Sequence, residues 1–146
     1  DIQLIWQTGG FYYTQIMGKM KKPWDQRLRV YDFIKEMQYA YTIADVVVSR
    51  AGALSLSELM LSAKPSILIP SPNVAEDHQT LNAQKLISGR AALMVPDALA
   101  DKMLVKTALS LLSDEEQQQE LSKNISAMGR PHAAVDIAKK VIELVA

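Results

Sequence analysis

Short apolar runs alternate with longer amphipathic segments along this chain. Four runs are short enough to be strands, and their near-continuous apolarity is typical of strands covered on both faces. They occupy residues 2–6, 28–33, 45–49 and 66–70, and a weaker fifth run occupies residues 91–95. The other segments have the apolar spacing of helices. These are residues 11–20, 37–44, 53–63, 79–88, 99–112, 114–128 and 133–145.

Chain-breaking residues fall between these predicted elements. Gly52 follows the third run, Pro65 precedes the fourth, and Gly129 separates the last two helices. Asp114, with Gln117 three residues later, resembles a capping box at a helix start. The alternation predicts an α/β fold, a Rossmann-like parallel sheet with helices on both faces and a helical tail. In such sheets ligands bind beyond the carboxyl ends of the strands.

The composition narrows the class of function. The chain has 146 residues, 49% of them hydrophobic and 22% charged, which is typical of a packed soluble domain. It contains no cysteine, so a disulfide, a thiolate metal site and a thiol nucleophile are excluded. The 16 basic and 16 acidic side chains give a formal net charge of zero, so we expect no nucleic acid partner. The apolar runs are far shorter than the roughly 20 residues of a membrane-spanning helix.

The turn at residues 50–54 joins a predicted strand to a predicted helix through Gly52. A helix amino terminus presents unpaired N–H donors and a partial positive charge, which suit a phosphate group. Glycine would let such an anion approach closely, although a lone glycine here is more often only a turn residue. The spacing is not that of a dinucleotide motif or a P-loop, so neither NAD nor ATP is indicated.

Glu58 lies inside the helix that this turn begins. Its ordinary interpretation is a capping box in which it partners Ser55, and the spacing alone favours that interpretation. The functional alternative is a carboxylate that accepts hydrogen bonds from both hydroxyls of a bound ribose.

A polar cluster follows the fourth strand and contains Asp77, His78, Gln79 and Asn82. Asp77 is interpreted as a helix N-cap. Gln79 and Asn82 each carry a donor and an acceptor, so they are candidate readers of sugar hydroxyls. His78 is a candidate general base, but no Ser or Cys nucleophile motif accompanies it. Two distant histidines and no cysteine do not have the spacing of zinc ligands, so we expect no metal.

An aromatic residue and a methionine follow the second strand. The simplest interpretation is that these are core residues, because helical spacing usually places such side chains inside. They are Phe33, Ile34 and Met37. If a planar base binds at this strand end, these side chains would flank it, and the backbone of Ile34 would read its edge.

Four sequence blocks occur together in one order. In combination they resemble the carboxyl-terminal, donor-binding domain of the MurG family, the peptidoglycan N-acetylglucosaminyltransferases of the GT-B fold. The resemblance covers nearly the whole chain, and its motifs are specific together and weak singly. The blocks are FIKEM at residues 33–37, ADVVVSRAGALSLSE at 44–58, KPSILIP at 64–70 and EDHQTLNA at 76–83.

This resemblance implies roles for the nucleoside-binding candidates. Phe33, Ile34 and Met37 would surround the uracil, and the main chain of Ile34 would read it. Glu58 would bind the ribose hydroxyls, so the resemblance moves its interpretation from capping to ligand binding.

The resemblance also implies roles at the diphosphate and the sugar. Ala53 and Leu54 would offer backbone donors to the diphosphate. His78 and Gln79 would contact the N-acetylglucosamine, although some members of the family have Gln where this chain has His78. No metal and no cofactor is implied.

The implied reaction is an inverting transfer of N-acetylglucosamine from UDP-N-acetylglucosamine to lipid I, an undecaprenyl-pyrophosphoryl-muramyl pentapeptide. The product would be lipid II, for peptidoglycan synthesis, cell shape and division, on the cytoplasmic face of the bacterial inner membrane. Residues 1–146 would be the donor-binding domain without its first strand and glycine-rich loop. The amino-terminal acceptor domain would be absent, and no catalytic residue would lie in this chain. Its start, Asp1 leading directly into an apolar run, agrees with that expectation.

Two other interpretations stay open. The chain could belong to another GT-B sugar-nucleotide transferase with a different donor or acceptor. It could also be a non-catalytic nucleotide-binding or interaction domain, whose motif residues serve only turns and caps.

Overall fold

Strands and helices alternate in the order that the sequence predicts. The computed structural model describes residues 1–20, 25–72 and 77–145. It divides the chain into two units, Asp1–Ile43 and Ala44–Ala146. Every predicted strand and helix is present in the described residues, and the bounds differ from the prediction by a few residues at most.

The first unit, Asp1–Ile43, contains a parallel pair of strands, each followed by a helix. The strand register places Leu4 opposite Leu28. The elements are strand β1 (Leu4–Gln7), helix α1 (Gly10–Lys19), strand β2 (Leu28–Tyr31) and helix α2 (Met37–Ile43).

The prediction that strands are covered on both faces is wrong for β1. All of its residues are exposed, Trp6 at 41% among them, and none of the described residues of this unit is buried. The physical reason is the small number of elements, because a two-stranded sheet has few side chains of its own to cover its faces. Apolar side chains of β1 therefore remain at the surface.

The second unit, Ala44–Ala146, contains a three-stranded parallel sheet with the order β3-β4-β5. Helix α3 packs against α6, and α5 also packs against α6. The elements are β3 (Val47–Ser49), α3 (Ala53–Ser62), β4 (Ser66–Leu68), α4 (His78–Ser88), β5 (Leu93–Met94), a 3₁₀ helix (Asp97–Leu99), α5 (Ala100–Leu112), α6 (Glu115–Ala127) and α7 (Ala133–Val145).

The core of this unit is built around β4, whose three residues are all buried. Here the expected double-sided cover is observed, whereas β2 and β3 expose Tyr31 and Val48, so the prediction is wrong for these strands as well. The hydroxyl of buried Ser66 donates to the carbonyl of Lys64 at 2.7 Å, so its polar group is satisfied. One buried apolar cluster joins the sheet to α5 and α6, and it contains Ile67, Ile69, Val95, Leu111 and Leu121.

Local signals at the ends of α6 agree with the prediction. The Asp114 side chain caps the helix by accepting a hydrogen bond from the Gln117 N–H at 2.9 Å. Gly129 follows the helix where its backbone approaches α3. A Cβ at Gly129 would lie 3.2 Å from the carbonyl oxygens of Met60 and Ser126, so a side chain there would be tightly packed against the backbone.

The turn before β2 carries a charged pair. Arg27 Nε donates to both carboxylate oxygens of Asp25 at 2.9 Å, and Arg27 Nη1 donates to Asp1 at 3.0 Å. Hydrogen bonds from the side chain and backbone of Arg27, helped by its charge, lower the pKa of Asp25 from 3.8 to about 2. The same pairing raises the pKa of Arg27.

Gly129→Ala is expected to destabilise the protein by about 1–3 kcal/mol, because the added methyl overpacks against two backbone carbonyls. Urea unfolding measures the difference. Gly89→Ala is the matched control, since Gly89 also ends a helix but its added Cβ would lie 3.6 Å from its neighbours. The control should lose no stability, and a Gly129→Ala protein as stable as the wild type would contradict the close-approach argument.

The Asp25 carboxylate should make stability depend on acid pH. Its pKa is lowered on folding, so its stabilising contribution is present above about pH 4 and is lost as the pH falls towards 2. The melting temperatures of the wild type and of Asp25→Asn should therefore differ at about pH 5 and converge at about pH 2. A difference that stays constant across that range would contradict the assignment.

Candidate functional site

Most of the candidate residues lie beyond the carboxyl ends of β3 and β4, as the sequence predicts. In a parallel sheet these ends share one edge, so residues that are distant in the chain meet there. We call this region of the second unit the carboxyl edge. It comprises Arg50 to Leu54 after β3, Ile69 to Ser71 after β4 and Asp97 after β5.

Arg50 connects the ends of all three strands. Its Nη1 donates to the Ile69 carbonyl at 3.3 Å and also to a carboxylate oxygen of Asp97. The arginine side chain is 55% exposed and that of Asp97 34%, so this is a surface pair with an added backbone contact. Sequence reasoning assigned Arg50 no role, because no local signal places Asp97 beside it.

Helix α3 begins at Ala53, with Gly52 as its N-cap residue. The first helical bond runs from the Leu56 N–H to the Gly52 carbonyl at 2.9 Å. Ala53 and Leu54 are exposed, Leu54 at 82%. Because N–H groups in the first turn of a helix have no intrahelical acceptor, this end of α3 presents backbone donors.

Gly52 is not required by the conformation of this turn. Its φ of −68° is open to any residue. A Cβ there would meet only Ser55 Oγ, at 3.9 Å. The backbone conformation of this turn therefore gives no reason for a glycine at position 52. The missing side chain leaves space beside the start of α3.

The capping-box interpretation of Glu58 is wrong. A capping box needs its serine at the N-cap position, but Ser55 is the third residue of α3 and Gly52 is the N-cap. Glu58 is an exposed residue of the second turn. It lies four residues after Leu54, so the two share one face of the helix.

The two amide candidates hold loops of the carboxyl edge. Gln79 Oε1 accepts a hydrogen bond from the Ser71 N–H at 2.9 Å, which fixes the segment after β4. Asn82 Nδ2 donates to the Ala51 carbonyl at 3.3 Å, which joins α4 to the turn before α3. Both side chains are half-buried, as such contacts require.

His78 is the first residue of α4 and is exposed. Asp77 takes the predicted N-cap position, but its side chain accepts no capping hydrogen bond from the described helix, and its backbone is left-handed with φ 53°. The interpretation of Asp77 as a side-chain cap is therefore wrong. Glu76, part of the sequence block at 76–83, lies outside the described residues.

The remaining candidates lie after β2 in the first unit. Phe33 is 66% exposed, so its interpretation as a core residue is wrong, whereas Ile34 and Met37 are half-buried. The Ile34 N–H donates to Gln7 Oε1 at 2.7 Å. Gln7 is the last residue of β1, at a strand end where the sequence predicts ligand contacts, but the sequence assigned it no role.

The described residues contain no group of three or more acidic or histidine side chains that could hold a metal ion. Within those residues, no helix is both long enough and apolar enough to cross a membrane.

Comparison with known proteins identifies similar sequences over nearly the whole chain. Residues 1–141 match the sequence model of a family described as glycosyltransferase family 28 C-terminal domain. The chain is 51% identical over 144 residues to the UDP-N-acetylglucosamine--N-acetylmuramyl-(pentapeptide) pyrophosphoryl-undecaprenol N-acetylglucosamine transferase of Cytophaga hutchinsonii. It is 50% identical over 145 residues to the Bacteroides fragilis protein of the same name. Each match covers 99% of this chain and 38% of the relative, so the chain spans about two-fifths of these relatives.

A solved structure is similar in fold. MurG of Acinetobacter baumannii matches with a TM-score of 0.81 and 22% sequence identity, over 97% of this chain and 41% of that one. Together with the family match, this confirms the predicted α/β fold, that of the carboxyl-terminal half of a GT-B glycosyltransferase.

Asp97→Asn is expected to reduce stability by about 0.5–1 kcal/mol, because it removes the charge from a partly exposed ion pair. A double-mutant cycle with Arg50→Gln, measured by urea unfolding, should give a coupling energy of similar size. Additive single-variant effects would show that Arg50 does not connect the strand ends through Asp97.

Proposed function

The chain belongs to the glycosyltransferase family 28 C-terminal domains, and from that premise we propose that it binds the donor of an inverting hexosyltransferase. The donor is UDP-N-acetylglucosamine. The observation that carries this proposal is the start of α3, where open space at Gly52 adjoins exposed backbone donors and Glu58 follows one turn later.

The diphosphate is placed at the amino terminus of α3. The backbone N–H groups of Ala53 and Leu54 donate to its oxygens, and Gly52 lets it approach. When the acceptor hydroxyl attacks the anomeric carbon, the bond to UDP breaks and negative charge develops on the leaving diphosphate. Donors that are already oriented towards that charge stabilise it more than they stabilise the bound donor.

The ribose is placed beside Glu58. This carboxylate lies on the same helix face as Leu54 and about one turn, roughly 5–6 Å, further along α3. A nucleoside joined to a diphosphate at the helix start has its ribose within that distance. The carboxylate accepts hydrogen bonds from two vicinal hydroxyls.

The sugar is placed against α4, with His78, Gln79 and Asn82 as its contacts. Gln79 and Asn82 hold the neighbouring loops through one end of each amide. An amide has both a donor and an acceptor, so the same side chain positions a loop and offers its other end to a hydroxyl.

The uracil is placed at the end of β2. The exposed ring of Phe33 offers a flat apolar surface to the base, beside Met37, and the main chain of Ile34 reads its edge.

The intact protein transfers N-acetylglucosamine to lipid I and forms lipid II at the cytoplasmic face of the inner membrane. This part of the proposal is supported by the relatives, whose name gives an N-acetylmuramyl-(pentapeptide) pyrophosphoryl-undecaprenol acceptor. We assign the acceptor domain, the first strand and the glycine-rich loop of the donor domain to the parts of those relatives that this chain does not span.

Glu58→Ala is expected to weaken UDP-N-acetylglucosamine binding by about 10- to 100-fold, the value of hydrogen bonds to a charged group. Titration calorimetry on the intact protein measures the affinity, and Glu116→Ala, an exposed glutamate of α6, is the control. The wild type should prefer UDP-N-acetylglucosamine to UDP-glucose and to ADP-sugars, and the 146-residue chain alone should bind more weakly.

Equal binding of UDP- and ADP-sugars would overturn the assignment of the donor. Unchanged affinity in Glu58→Ala, with lost thermal stability, would remove Glu58 from the ribose site. A preference for UDP-glucose would favour another sugar-nucleotide transferase.

A further inference from the structure

We infer that Gln7 is a positioning residue for the nucleotide base, because it holds the Ile34 peptide in place. This inference rests on the proposed function, which assigns the main chain of Ile34 to uracil. It adds a residue that lies in none of the sequence blocks on which the resemblance is based.

Gln7 and Thr8 connect the end of β1 to the turn after β2. Gln7 Oε1 accepts the Ile34 N–H at 2.7 Å, a contact between residues 27 positions apart in the chain. The Thr8 N–H donates to the Tyr31 carbonyl at 2.9 Å, and the Thr8 hydroxyl lies 3.2 Å from the same oxygen and from the Gly9 carbonyl. Gln7, the last residue of β1, and Thr8, which follows it, therefore hold the end and the start of the turn formed by residues 31–34.

The turn needs such a connection because burial does little to fix it. Phe33 is 66% exposed, and its N–H donates to the neighbouring Asp32 side chain at 2.7 Å. A bond between adjacent residues shapes the turn locally and does not attach it to the sheet. The Gln7 contact does attach it, since Gln7 belongs to β1.

A backbone group that reads a base must already be in position when the base arrives. An unattached turn would lose conformational freedom on binding, which reduces the affinity. Because the Ile34 N–H is engaged by Gln7, the Ile34 carbonyl is the group left to accept a hydrogen bond from the base. Displacement of that carbonyl by as little as about 1 Å would misalign it. The loss should fall on the base, because the proposed diphosphate contacts, the N–H groups of Ala53 and Leu54, do not belong to this turn.

The test compares Gln7→Ala with Gln7→Glu in the intact protein. Gln7→Ala removes the acceptor, whereas Gln7→Glu keeps an oxygen at the same distance along the side chain. Titration calorimetry with UDP, ADP and inorganic diphosphate separates recognition of the base from recognition of the phosphates. Gln15→Ala, at an exposed position of α1, is the matched control.

Gln7→Ala is expected to weaken UDP binding about tenfold, the value of one hydrogen bond, and to leave diphosphate binding unchanged. The preference for UDP over ADP should fall by the same factor. Gln7→Glu should remain within about threefold of the wild type, and Gln15→Ala should match it. If Gln7→Ala does not fold, Gln7→Met keeps the side-chain length without the acceptor.

Three results would overturn the inference. The first is a Gln7→Ala variant that binds UDP as tightly as the wild type does, when the wild type prefers UDP to ADP. The second is an equal loss of UDP and diphosphate affinity with lower thermal stability, which would make Gln7 a purely structural residue. The third is a wild type with no preference for UDP over ADP, which would overturn the proposed function itself and this inference with it.

Discussion

Parallel pairing of β4 with β3 on one side and β5 on the other determines the geometry of the second unit. Because the three strands run in the same direction, their following loops meet at one edge. Burial of all of β4 makes this arrangement the centre of the hydrophobic core. The carboxyl edge is thus a consequence of the core, and residues far apart in the chain become neighbours there.

Polar side chains then hold the loops of that edge in place. Arg50 reaches the ends of β4 and β5, and Asn82 holds the Ala51 carbonyl before α3. Each contact attaches a loop to a different element, so the turn before α3 is fixed from two directions. A site that binds a diphosphate through backbone donors depends on this, because backbone groups have no side-chain freedom with which to correct their position.

The first unit uses the same principle with less hydrophobic support. None of its described residues is buried, and its turn after β2 is attached to β1 through Gln7 and Thr8. In both units a glutamine side chain holds a backbone N–H, at Ile34 by Gln7 and at Ser71 by Gln79. Amides suit this work because they present an acceptor without a charge that would have to be desolvated.

The sequence by itself determined the order of strands and helices, the cap at Asp114 and the loops in which the candidate residues lie. These follow from hydrophobic periodicity and from contacts within a few residues, which a linear pattern contains. Only the tertiary structure decided that Ser55 is not the capping partner that its spacing from Glu58 favoured, that β1 is exposed, and that Gln7 and Arg50 contact Ile34 and Asp97. A helix start is set where backbone bonds close, and the partners of a polar side chain depend on chain segments brought together by the sheet. Such long-range contacts leave no periodic signal in the sequence.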